Sequence, residues 1–122
     1  MGRLWKDNKI MTLLGEQFFT IYNMDKSFAF KLAGILEKST IDLLADLEVS
    51  VDKADAQKSK NILHTIKGSA ANFGAEQLTE KTRQIESAIY LLSDDNKSDY
   101  KKCIVEIRDV FNSTLEELEK HK

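Results

Sequence analysis

His64-Thr65-Ile66-Lys67-Gly68-Ser69-Ala70-Ala71-Asn72-Phe73-Gly74 is unlike the rest of the chain, and with the preceding Leu63 it reads as an α-helix. Leu63, Ile66, Ala70 and Phe73 recur at spacings of 3, 4 and 3, which turns them to one side of a 3.6-residue repeat. Gly74 follows at the place where helices often close with a left-handed residue. The neighbouring face of the helix carries His64, Lys67, Gly68 and Ala71, because positions i, i+3, i+4 and i+7 stack. An imidazole therefore stands beside an ammonium on a surface otherwise cleared of side chains. Gly68 costs the helix about 1 kcal/mol relative to alanine, and what it offers in exchange is close access for a large partner. A neutral imidazole is a competent nucleophile near neutral pH. Lys67 would meet a phosphoryl group on that ring as a point charge, and Lys60, one turn earlier, is placed to assist.

Outward from this stretch the helical period continues. Towards the N-terminus, Asp52 or Asp55 is a capping residue for the same helix. A long helix precedes it, from Asp25 or Lys26 to about Val49, with Phe28, Leu32, Ile35, Leu36, Leu43 and Leu47 as its buried stripe, broadened by Ile41 and Leu44. The spacing of Ile10, Leu14, Phe18 and Ile21 predicts a first helix from about Asp7 to Tyr22, weakened by Gly15. Phe18 and Phe19 are adjacent and cannot both face one stripe. Beyond Gly74, a fourth helix starts near Ala75 with Leu78, Thr82, Ile85, Ile89 and Leu92 on one face. After the cap-rich Ser93–Ser98, a last helix aligns Tyr100, Ile104, Ile107, Phe111 and Leu118. The expectation is an all-α protein: one domain over residues 1–122, an antiparallel four-helix bundle over about 23–122 with an additional N-terminal helix. Residues 1–6 stand outside it, native or left over from expression.

Composition supports this and removes other function classes. The chain has 122 residues, no proline and five glycines, which disfavours a turn-rich β architecture. Its net charge of −2 gives no general attraction to nucleic acid or anionic lipid. A single cysteine, Cys103, cannot pair internally, and no signal-peptide or membrane-spanning run is visible, so the expected location is a reducing cytoplasm. No Glu-x-x-His pair supports a di-iron bundle, so neither a metal site nor a cofactor is expected. There is also no glycine-rich ATP lid or phosphate loop, so the chain should not phosphorylate itself.

The segment His64, Lys67-Gly68, Ser69-Ala70-Ala71 and Gly74, continued by Ala75, Leu78 and Ile85-Glu86, resembles the histidine-containing phosphotransfer (HPt) domains of multistep two-component phosphorelays. The resemblance implies that His64 is the phosphoacceptor through Nε2 and that Lys67 stabilises the phosphoryl group. It implies that Gly68 and Ala71 admit the partner and that Gly74 ends the helix. Glu86 occupies a position from which some members direct a polar group to the other ring nitrogen. The partners implied are receiver domains of a hybrid sensor kinase and of a response regulator, bound by a monomer in weak, transient contacts. Magnesium is expected on the receiver and not on this chain. The same fold could also serve as a non-phosphorylated adaptor that binds receivers, but retention of both His64 and Lys67 speaks against that. A sensor-kinase dimerisation region fits less well, because Thr65 follows the histidine where an acidic residue is typical there. Taken alone, Glu86 reads as a solvated carboxylate, and His121, beside the C-terminus, as frayed.

Overall fold

Three of the helices among the described residues begin where a side chain or a borrowed carbonyl satisfies one of their first N–H groups. The computed structural model describes residues 11–122. Among them are α1 (Glu16–Met24), α2 (Lys26–Asp52), α3 (Ala56–Phe73), α4 (Glu76–Ala88, continued by a 3-10 turn over Ile89–Leu91) and α5 (Lys97–Glu119). Asp25 caps α2 by accepting from Phe28 N at 3.0 Å, and Asp55 caps α3 by accepting from Lys58 N at 3.0 Å. Each such cap is worth about 1 kcal/mol relative to alanine. Of the two capping candidates before α3, Asp55 is therefore the one used. Asp52 instead closes α2, three residues later than the spacing predicts, and pairs with Lys101 of α5.

The first helix differs most from expectation. Residues 11–15 are not helical, and residues 7–10 lie outside the described residues. Gly15 is extended, at φ −111° and ψ −166°. Its N–H donates to Gly74 O at 2.9 Å, and Leu13 O accepts from Glu76 N at 3.1 Å. Gln77 Nε2 donates to Met11 O at 2.7 Å. The segment thus spends its polar groups on the start of α4, where Ala75 has no side chain able to cap, and helix formation is postponed to Glu16.

Packing follows the predicted stripes on α3, α4 and α5. Leu63, Ile66, Ala70 and Phe73, then Leu78, Thr82, Ile85, Ile89 and Leu92, then Ile104, Ile107, Phe111 and Leu118 are all buried. Tyr100 is half-buried, and its hydroxyl donates to Ala88 O at 2.6 Å. On α2 the expected stripe holds at Leu36, Leu44 and Leu47, is half-buried at Leu32 and Leu43, and fails at three positions. Phe28 and Ile35 are 49% and 60% exposed and Ile41 is also exposed, while Ala29, Ala33, Leu36, Thr40, Leu44 and Leu47 face inward. Two alanines on the inner line let the helix approach its neighbours closely, and the larger apolar side chains one position away are turned out.

α1 crosses one end of the bundle, with Phe18 fully buried and Phe19 half-buried. His121 is held there instead of fraying. Its ring lies 5.3 Å from Phe19, 5.9 Å from Tyr22 and 6.2 Å from Phe18 between centroids, and Tyr22 Oη donates to His121 O at 3.0 Å. Aromatic contacts of this kind and the hydroxyl bond pin the last turn onto α1.

The α3–α4 hairpin positions the functional face. Gly74 is left-handed at φ 96°, and the N–H groups of Gly74 and Ala75 both reach back to Ala70 O at 2.9 Å. His64 and Glu86 each lie eleven residues from Ala75, so the two antiparallel helices bring them level, about 16 Å from the turn at 1.5 Å per residue. An alanine at Gly74 would force a Cβ against the backbone nitrogen of Phe18 as well as strain φ. Gly74→Ala should therefore lower the unfolding free energy by about 2–4 kcal/mol in urea denaturation. A loss under about 0.5 kcal/mol, the range of an ordinary surface change, would contradict this role for the turn.

Candidate functional site

His64, Lys67, Gly68 and Ala71 come out on the outer face of α3, as the i, i+3, i+4, i+7 spacing requires. The buried stripe on the other side of the helix fixes that face towards solvent and α4. The His64 side chain is 70% exposed, Lys67 28% and Glu86 12%. Glu86 Oε2 lies 3.1 Å from His64 Nδ1, and Glu86 Oε1 lies 2.8 Å from Lys67 Nζ. The lysine contact is one of charge more than of hydrogen-bond alignment.

Glu86 is thus not a solvated carboxylate but stands where the resemblance puts a polar group facing the other ring nitrogen. It is an enclosed bridge between the two residues of α3. Burial pushes its carboxyl pKa up, but the contacts to Lys67 and His64 outweigh this and hold it below the usual 4.5. Ionised, the carboxylate can only accept, so His64 Nδ1 carries the ring proton and donates it to Oε2. Nε2 is then left with its lone pair on the exposed side of the ring, where no described residue bonds it.

Lys60 makes no hydrogen bond to His64. It joins Lys67, Arg83, Glu86, Ser87 and Tyr90 around a shallow groove between α3 and α4. Among the described residues Lys60 has no carboxylate within 4.0 Å, whereas Arg83 Nε donates to Glu80 Oε1 at 2.9 Å. The hairpin accounts for this grouping, because Lys60 and Tyr90 are equidistant from Ala75, as are Lys67 and Arg83.

Gly68 is exposed, and a Cβ built there would meet nothing within 4 Å. The chain's own packing therefore gives no reason for glycine, and the clearance faces outward. On the opposite flank of α3, exposed Phe28 and Ile35 extend an apolar strip towards a groove formed by Leu32, Ile35 and Ser39 of α2 with Ser69, Asn72 and Phe73 of α3. The sequence reading missed this strip because its residues also fit a core repeat. The inward alanines at 29 and 33 were the signal for the displaced line. Among the described residues no group of three or more His, Cys, Asp and Glu side chains converges to hold a metal, and no helix is long and apolar enough to cross a membrane.

Two measurements follow from these environments. Gly68→Ala should raise stability by about 0.5–1 kcal/mol in urea unfolding, since the methyl lies in open space and helix propensity improves; destabilisation would show a hidden packing constraint. Because Glu86 titrates lower folded than unfolded, its contribution is complete above the ordinary 4.5 and is lost as pH falls through the folded value. Glu86→Gln should therefore flatten the acid limb of the stability–pH curve below about pH 5, and an unchanged limb would contradict the bridge.

The model of the Hpt domain family matches residues 31–121, which takes in α3, α4 and all of α5 together with most of α2. No curated protein matches the chain. The chain belongs to the Hpt domain family, the histidine phosphotransfer carriers of phosphorelays.

Proposed function

We propose that His64 accepts a phosphoryl group from an aspartyl phosphate on one receiver domain and passes it to an aspartate on another. The observation that carries this reading is the exposed imidazole whose Nδ1 is held by the enclosed Glu86 carboxylate, with Lys67 at the same carboxylate. The lone pair of Nε2 attacks phosphorus, the Nε2–P bond forms, and the P–O bond to the aspartate breaks with its electron pair leaving on the aspartate carboxylate. The Nδ1 proton stays directed at Glu86, which keeps the ring oriented while Nε2 takes up the phosphoryl group. Lys67 is within reach to offset phosphoryl charge. Transfer onward is the reverse displacement, with a receiver aspartate as nucleophile. Hpt domains are carriers and not kinases, so an upstream kinase and the receivers' own groups, including their magnesium, complete the chemistry.

The receiver docks over the clearance at Gly68 and Ala71 and onto the apolar strip of Phe28, Leu32 and Ile35. Such a contact is small and transient, suited to a monomer that visits two partners in a cytoplasmic relay. Two receivers are expected, one of a hybrid sensor kinase and one of a response regulator.

Incubation with a phosphorylated receiver domain should place acid-labile, base-stable phosphate on the wild type and none on His64→Gln, with both proteins equally folded by circular dichroism. Lys67→Ala should fold and transfer about tenfold more slowly, equivalent to about 1.4 kcal/mol of barrier. Label retained on His64→Gln would overturn the assignment of the acceptor. A folded wild type that takes no label from several receivers would favour an adaptor that binds receivers without phosphorylation.

A further inference from the structure

Lys67 shares the counter-ion of His64, and its charge is already engaged. Its ammonium sits 2.8 Å from Glu86 Oε1 while the other oxygen of the same carboxylate holds His64. Glu86 is the least exposed of the three, flanked on α4 by the buried Ile85 and Ile89. Lys67 has four methylenes with which to swing. Among the described residues no other carboxylate lies within 4.0 Å of Lys67 or His64. The geometry points to Glu86 as a shared counter-ion that draws Lys67 back from the phosphoryl group and thereby shortens the life of the phosphohistidine. This inference rests on His64 being the phosphoacceptor and adds a control on how long it stays charged.

The balance of charge explains the effect. The unphosphorylated site pairs one carboxylate with one ammonium and a neutral ring. Phosphorylation forms Nε2–P, makes the Nδ1-protonated ring cationic, and brings a phosphoryl group of about two negative charges. Oε2 stays on Nδ1–H, and Lys67 is shared between Oε1 and the phosphoryl oxygens. On loss of the group to water or to an aspartate, the Nε2–P electron pair returns to nitrogen and the ring leaves neutral, because Nδ1 has kept its proton. A glutamine at 86 keeps a carbonyl acceptor for Nδ1–H but removes the competing charge, so Lys67 remains with the phosphoryl group.

Phosphoramidate, a small N-phosphoryl donor that needs no receiver, is used to label the intact protein, and the phosphohistidine signal is followed by 31P NMR as it decays. Glu86→Gln should lengthen the lifetime about threefold or more, the scale of a partly exposed ion pair, and Lys67→Ala should shorten it. The double variant should be no longer-lived than Lys67→Ala, since the lengthening acts through the lysine. A lifetime in Glu86→Gln equal to or shorter than wild type would overturn the inference, as would a lengthening that survives in the double variant. In the wild type itself, phosphorylation should shift both the Lys67 ammonium and the Glu86 carboxylate 13C resonances, a readout that requires no variant to fold; unchanged resonances would also overturn it. Normal receiver transfer with no effect of Glu86→Gln on lifetime would defeat this inference alone. Labelling by phosphoramidate with no transfer from any receiver would defeat the relay reading alone. Failure of phosphoramidate to label His64 would defeat this inference.

Discussion

A helix can double back within two residues only if one of them takes a left-handed backbone, and in this chain Gly74 does so at φ 96°. The close approach of α1 makes the constraint stricter, because Gly74 O accepts from Gly15 N and the position has no room for a Cβ beside Phe18. Once the turn is set, the register of α4 against α3 is set with it. His64 comes level with Glu86, Lys67 with Arg83, and Lys60 with Tyr90, each pair equidistant from Ala75. The apolar seam of Leu63, Ile66, Ala70 and Phe73 against Leu78, Thr82, Ile85 and Ile89 then holds that register by burial, at about 1.5–3 kcal/mol for each large side chain.

The site divides its work between what is fixed and what is free. Glu86 is enclosed beside the seam, and as an ionised acceptor 3.1 Å from Nδ1 it favours the proton on that nitrogen. The ring is exposed, so the nitrogen with the lone pair is presented to a partner and not to the chain's own groups. Gly68 leaves the surface beside the ring open at a cost in helix propensity that no contact among the described residues requires, and exposed Ala71 adds only a methyl. A carrier needs little more than this, since a partner domain can bring the phosphoryl group and the remaining catalytic groups to a rigid, accessible imidazole.

Much of this was readable in the residues. The stripes of α3, α4 and α5 are single-sided and carry large apolar side chains, so periodicity alone placed them correctly. The histidine–lysine–glycine face followed from the same period. What the sequence could not show depended on contacts between elements. Glu86 read as solvated on its own and as ring-directed by resemblance, and only the hairpin register separates the two. On α2, large apolar residues and small inward-facing alanines both follow the helical period, and a helix with two neighbours buries the small line. Residues 11–15 lost their expected helix to hydrogen bonds with the start of α4, a distant demand that local propensity does not contain. His121 is ordered by rings contributed by α1, far away in sequence.

The assignment of Nε2 as the reacting atom, with Nδ1 protonated and held by Glu86, is the point on which the chemistry turns. Long-range 1H–15N correlation NMR of the histidine rings reads it directly, before and after phosphorylation. The expected result is a protonated Nδ1 and an unprotonated Nε2 on His64 in the resting protein, with 31P–15N coupling to Nε2 once the group is attached. A resting ring protonated at Nε2, or phosphorus coupled to Nδ1, would contradict it.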